Sequence, residues 1–103
     1  MISVDGVVTS VPLPDVGDVR LGRTASCDVV VQHKSVSRHH ARIVVGPHGA
    51  ELEDLGSKNG TQVNGQRISA RVALRDQDEI LLGKAPLVFR VSSGALSTAT
   101  SLE

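Results

Sequence analysis

An all-β sandwich is the fold class this sequence predicts, and three observations predict it. Apolar residues alternate with polar ones or form short β-branched runs, and none sustains a helical period. The runs are short and closely spaced. Turn-forming residues stand between them: Asp5-Gly6, Gly46-Pro47-His48-Gly49, Asn64-Gly65 and the stretch from Gly83 to Pro86. Together these imply two packed sheets of short, mostly antiparallel strands.

Each element follows in order. Ile2-Ser3-Val4 and Val7-Val8-Thr9 flank Asp5-Gly6, which predicts a hairpin with a two-residue turn. Pro12 and Pro14 should end that ribbon, because proline has no N–H to give a ladder. Val19-Arg20-Leu21 is a strand leading into Gly22-Arg23, and Val29-Val30-Val31 is a second one after the Thr24–Asp28 loop. Ala41–Val45 and Ala50–Asp54 make a hairpin across Gly46–Gly49. Thr61–Val63 and Gln66–Ile68 make another across Asn64-Gly65. Glu79–Leu82 and Leu87–Val91 make the last. Ser69–Gln77 is the longest stretch without a clear strand, and a turn of helix is expected there.

A chain of 103 residues predicts one domain. We place it at residues 1–92, with 93–103 as a flexible tail or cloning remnant. Aromatic residues make up 1%, namely Phe89, so the core must come from Val, Leu, Ile and Ala. That scarcity argues against stacking single-stranded nucleic acid. Eleven basic and eleven acidic residues leave no net charge, whereas gripping a nucleic-acid backbone normally takes a basic excess. Cys27 is the only cysteine, so no intramolecular disulfide forms and a reducing, cytoplasmic setting is expected. No run is long enough to span a membrane, and no signal-peptide pattern opens the chain.

Three polar, glycine-bearing clusters close apolar runs: Gly22-Arg23, Ser37-Arg38-His39-His40 and Gly56-Ser57-Lys58-Asn59-Gly60. Glycine permits a sharp turn or a close backbone approach. Arg23 offers a planar fork of donors that fits phosphate oxygens. A hydroxyl and backbone amides around Ser37 suit an anion-binding nest, with Arg38 adding charge. Lys58 is a further cation, and the Asn59 amide both donates and accepts. Read singly, each cluster is more readily a surface turn than a binding site. Of the adjacent histidines, His40 is expected inward, sharing parity with Arg42 and Val44. Opposite-facing imidazoles cannot chelate one ion, and His33 and His48 stand at no ligand spacing, so no metal is expected.

Two catalytic readings are weaker. Gly56-Ser57-Lys58 lacks the earlier glycine of a P-loop, and Asn59 stands where its Ser or Thr should be. Ser37, His40 and Asp54 could be written as a hydrolase triad, but no nucleophile elbow surrounds Ser37. Cys27 reads as a small buried residue.

In order and spacing, Leu21-Gly22-Arg23, Ser37-x-x-His40-Ala41, Leu55-Gly56-Ser57-Lys58-Asn59-Gly60-Thr61 and Val63-Asn64-Gly65 resemble the forkhead-associated (FHA) domain. The resemblance runs from about Val19 to Val91. It implies an eleven-stranded β sandwich that binds phosphothreonine peptides through loops at one end. It implies that Arg23 and Ser37 bind the phosphate and that Arg38 contacts phosphate or peptide main chain. Lys58 falls where many members carry threonine or serine, exchanging a short hydroxyl for a long cation. Asn59 would bond the peptide backbone, and Gly22, His40, Gly60 and Asn64 would shape the loops.

The expected function is therefore a non-catalytic phosphothreonine-peptide-binding module within a larger signalling protein. Its partner would be a threonine-phosphorylated protein or peptide. No cofactor, nucleic acid or membrane is expected, and the isolated domain should be monomeric. The competing classes are an assembly domain that binds without phosphate and the Ser37 hydrolase.

Overall fold

The computed structural model describes residues 2–6, 10–47 and 49–91. The expected arm Val7–Thr9, His48 and the stretch from Ser92 to Glu103 lie outside the described residues.

Eleven strands follow one another: β1 (Ile2–Asp5), β2 (Ser10–Leu13), β3 (Gly17–Gly22), β4 (Val29–Val30), β5 (Ala41–Gly46), β6 (Gly49–Asp54), β7 (Thr61–Val63), β8 (Gln66–Arg67), β9 (Val72–Leu74), β10 (Asp78–Leu82) and β11 (Ala85–Val91). No helix occurs among the described residues. One sheet has six strands in the order β2-β1-β11-β10-β7-β8, and the other has five in the order β4-β3-β5-β6-β9. Every pair is antiparallel except β3 with β4.

Alternation decides which face of each strand is buried. In β5, Ala41, Ile43 and Val45 are buried while Arg42 and Val44 are half-exposed. In β11, Ala85, Leu87 and Phe89 are buried between outward neighbours. One sheet contributes Val4, Ile80, Leu82 and Phe89 to the core; the other contributes Val19, Leu21, Ile43 and Leu52. Burying each such side chain stabilises the fold by about 1.5–3 kcal/mol. This core is the rigid frame behind the loops.

Three hairpins follow the turn signals. Gly46 pairs with Gly49. Val63 pairs with Gln66 across Asn64 (φ 51°) and Gly65 (φ 85°), the doubly left-handed turn that Asn-Gly favours. Leu82 pairs with Ala85, so the last turn is Gly83-Lys84 alone, shorter than the Gly83–Pro86 span expected.

Three expectations are corrected. Val4 pairs with Val11 and Asp5 with Ser10, so Asp5 lies in the ladder and the expected two-residue Asp5-Gly6 turn is not made. Asp5 is kept in the strand by cross-strand partners, the Ser10 hydroxyl at 2.6 Å and the Arg90 guanidinium. Pro12 lies within β2 instead of ending it. β2 is an outer strand, where a missing N–H on the free edge costs no ladder bond. Finally, the Ser69–Gln77 stretch holds β9, not a turn of helix. Val72 and Leu74 extend the sheet by pairing with Leu52 and Ala50, a contact distant in sequence that local pattern does not announce.

Candidate functional site

Four connections meet at one end of the sandwich: Arg23–Asp28, Val31–His40, Leu55–Gly60 and the Gly83-Lys84 turn. Main-chain bonds join them. The Arg23 amide donates to the Ser37 carbonyl at 3.0 Å, and the Gly83 amide donates to the Gly60 carbonyl at 3.0 Å. The Lys58 amide donates to the Ser37 hydroxyl at 3.1 Å. The Lys84 amide donates to the Ser35 hydroxyl at 2.8 Å, and the Asn59 side-chain amide donates to the Ser35 carbonyl at 2.8 Å.

Gly22 is buried where two segments touch. A Cβ there would collide with the Arg38 carbonyl oxygen and lie 2.8 Å from Cys27 Sγ. Glycine lets the first loop close against the second. Cys27 itself is buried, its thiol directed at the Arg38 carbonyl at 3.2 Å. Burial, opposed by the Thr24 backbone bond, pushes that thiol above its ordinary range. A raised thiol is a poor nucleophile.

His40 joins the second loop to the third. It is fully buried. The Ser37 amide donates to its Nδ1 at 3.0 Å, and its Nε2 faces the Gly60 carbonyl at 2.8 Å. An accepting Nδ1 fixes the proton on Nε2. The inward placement matches the expectation, but the reason given for it does not hold. Arg42 and Val44 point outward, while the inward set is Ala41, Ile43 and Val45. His40 lies just before β5, and two consecutive buried residues there break the alternation.

The third loop is organised by Asp54, at the end of β6. Its carboxylate accepts the amides of Gly56 and Ser57 at 3.0 and 3.1 Å, and the hydroxyls of Ser57 and Thr61. Partial burial raises its pKa, but those hydroxyls and amides together hold it below the usual carboxylate range. Ser57 Oγ accepts the Gly60 amide at 2.9 Å, closing the turn. Gly60 has φ +85°, and a Cβ there would press on Arg67 Nε at 2.6 Å.

The exposed groups stand on this frame. Arg23, Arg38, Lys58 and Asn59 are exposed and Ser37 is half-exposed. Among the described residues, the Lys and Arg ion pairs join Arg42 to Asp18 and Glu53, Arg71 to Glu51 and Glu53, and Arg90 to Asp5. None involves Arg23, Arg38 or Lys58. Asp54, the carboxylate beside them, has its oxygens occupied by the loop. The Ser37 hydroxyl oxygen accepts the Lys58 amide, which leaves its proton for an incoming acceptor. The result is an electropositive rim with free donors and no internal counter-ion, a surface suited to an anion.

The structure thus brings Gly22, Arg23, Ser37, Arg38, His40, Lys58, Asn59 and Gly60 to one end. Asn64 lies elsewhere. Its side chain bonds the Asp78 carboxylate and the Glu79 amide, both at 2.9 Å, and ties the β7–β8 turn to β10. The triad geometry is not made. His40 receives the Ser37 amide rather than its hydroxyl, and Asp54 Oδ1 stands 4.0 Å from His40 Nε2.

The model of the FHA domain matches residues 19–83. The chain belongs to the FHA family. Relatives agree with that placement. This FHA domain is 45% identical over 73 residues to the ABC transporter ATP-binding/permease protein Rv1747 of Mycobacterium tuberculosis, covering 71% of this chain and 8% of that protein. It is 39% identical over 75 residues to the transcriptional regulatory protein EmbR of the same species, covering 73% of this chain and 19% of EmbR. The chain therefore spans under a fifth of either relative. The structure of the FHA domain of CT664 from Chlamydia trachomatis superposes with a TM-score of 0.85 at 26% identity, over 89% of this chain and 98% of that one. M. tuberculosis EmbR in complex with a low-affinity phosphopeptide superposes with a TM-score of 0.82 at 32% identity, over 93% of this chain and 26% of that one.

Ser35, Asp54 and Ser57 build the loops of this FHA domain and were missed as supports. Asp54 had a readable signal, since Asp two and three residues before exposed amides at Gly56 and Ser57 forms an Asx-type turn. Ser35 had none, because its partners Asn59 and Lys84 are distant in sequence.

Proposed function

We propose that this FHA domain is a non-catalytic module that binds phosphothreonine peptides through Arg23, Ser37, Arg38, Lys58 and Asn59. The supporting observation is the rim itself: three cations without carboxylate partners around a serine hydroxyl whose proton is available. A phosphothreonine carries about −1.5 to −2 charge near neutral pH and three acceptor oxygens. Arg23 supplies a charge-assisted fork, Ser37 a neutral donor, and Arg38 more charge. The Asn59 amide, steadied on Ser35, keeps its oxygen and second N–H for a peptide main chain. The EmbR structure is a complex with a phosphopeptide, which supports phosphopeptide binding by this domain.

Lys58 takes a divided role in this reading. Its amide orients Ser37 and its ammonium adds long-range attraction, so the missing hydroxyl is replaced by charge. His40 and Gly60 brace the loops, while Asn64 acts on the fold alone. The domain acts in the cytoplasm, as a monomeric part of a longer regulatory protein.

The deciding experiment is titration with a phosphothreonine peptide and its unphosphorylated twin. Binding of the first alone supports the proposal. Equal binding of both, or binding unchanged by phosphatase, sinks it in favour of a phosphate-independent assembly domain.

A further inference from the structure

Beside the phosphate rim lies an open groove of about 540 Å³, lined by His33, Lys34, Ser35, Asn59, Gln62, Leu81, Gly83 and Lys84. It shares Asn59 and Ser35 with the rim. Its volume falls within the range of ordinary ligand sites.

Three features give this groove a chemical preference. Lys34 and Lys84 both line it, one on the β4–β5 loop and one on the β10–β11 turn. No aspartate or glutamate lines it, and neither lysine has an ion pair among the described residues. Half-buried Leu81 offers an apolar surface for a methylene stem, and Gln62 adds a neutral amide.

The lysines also stand on fixed backbone. Lys84 is held through its amide on Ser35 Oγ, and Gly83 through its amide on Gly60. Lys34 lies inside a turn closed by the Val36 amide on the His33 carbonyl at 2.9 Å, with His33 Nδ1 receiving the Ser35 amide at 3.1 Å. Both segments therefore depend on Ser35, which also positions Asn59.

We propose that this groove selects phosphothreonine peptides carrying an aspartate or glutamate close to the phosphothreonine, with Lys34 and Lys84 as the specificity-determining residues. This rests on the phosphopeptide reading of the adjoining rim. An extended peptide held at Asn59 advances about 3.3 Å per residue, so a neighbouring side chain reaches the groove within a few residues. An acidic side chain there meets two unpaired ammonium groups, whereas a basic one meets repulsion.

The test is a set of phosphothreonine peptides in which each flanking position in turn carries Glu, Gln or Lys. They are titrated against the parent and against Lys34→Ala/Lys84→Ala, with thermal melting of both proteins. The expected result is one position where Glu binds about five-fold more tightly than Gln and Lys more weakly still, as two exposed ion pairs allow. In the double variant that spread collapses, while the Gln peptide binds as it does to the parent. Rising salt should narrow the spread in the parent. Two results overturn the proposal while leaving the phosphothreonine reading intact: equal affinity for Glu and Gln peptides at every position, or a preference that survives loss of both lysines. If no phosphopeptide binds at all, the rim assignment fails and the groove assignment fails with it.

Discussion

Arg23 and Lys58 are both exposed cations on the same rim, yet their substitutions should differ. The Arg23 side chain is exposed, and its backbone position is secured separately by the amide bond to Ser37. Arg23→Ala should weaken phosphopeptide binding about 10- to 100-fold, the range of charged hydrogen bonds, with the melting temperature unchanged. Lys58→Ala keeps the amide that orients Ser37 and should cost a few-fold at most. Calorimetric titration of both variants checks the ranking. Equal losses would mean that the lysine side chain does more than add charge. Gly22→Ala belongs to a different class. Its methyl would meet the Arg38 carbonyl, so about 1–3 kcal/mol of stability should be lost, and the first two loops should separate. Denaturant unfolding measures that loss.

Among elements, the Leu55–Gly60 loop depends most on one group. Asp54 gathers two amides and two hydroxyls, and its pKa is lowered as a result. A lowered carboxylate adds stability that is present above the ordinary carboxylate value, about 3.9. That stability is lost as pH falls through the lower folded value. The loop should therefore stay ordered through mildly acid solution and loosen only below about pH 4. Amide exchange at Ser57 and Gly60 against pH would show it; loosening near pH 6 would contradict it. Asn64→Ala tests another element. Two bonds to β10 are lost, so stability should drop by about 1–3 kcal/mol while phosphopeptide affinity stays at the parent value. A parallel fall in affinity would show that the β7–β8 turn does reach the rim.

For the whole molecule, the sandwich keeps the loops close to their binding geometry, so little ordering entropy should be lost on association. Phosphopeptide titration should perturb amides of the loop end and leave those of β1, β2 and β9 unmoved in a heteronuclear spectrum. Affinity should fall as pH drops through about 6, where the phosphate takes up its second proton. Asp54 retains its charge across that range and does not contribute to such a decline. Rim cations act through a screened field, and higher salt should weaken binding further.

Much of this protein was determined by sequence alone. Period-two alternation in Ala41–Val45 and Leu87–Val91, with Asn64-Gly65 between short strands, specifies the sandwich, because those patterns act locally through pleat and turn. The spacing of Gly22-Arg23, Ser37–His40 and Gly56–Gly60 likewise identifies the family. Tertiary structure decided what depends on partners far along the chain. It placed β9 beside β6, paired Asp5 with Ser10, and sent Asn64 to β10. It also decided which polar groups the fold consumes. His40 and Asp54 are spent on the loops, whereas Arg23, Arg38 and the Ser37 proton remain outward. A hydrogen bond between residues twenty positions apart leaves no periodic trace, so the division between support and recognition emerges only once the sheets have packed.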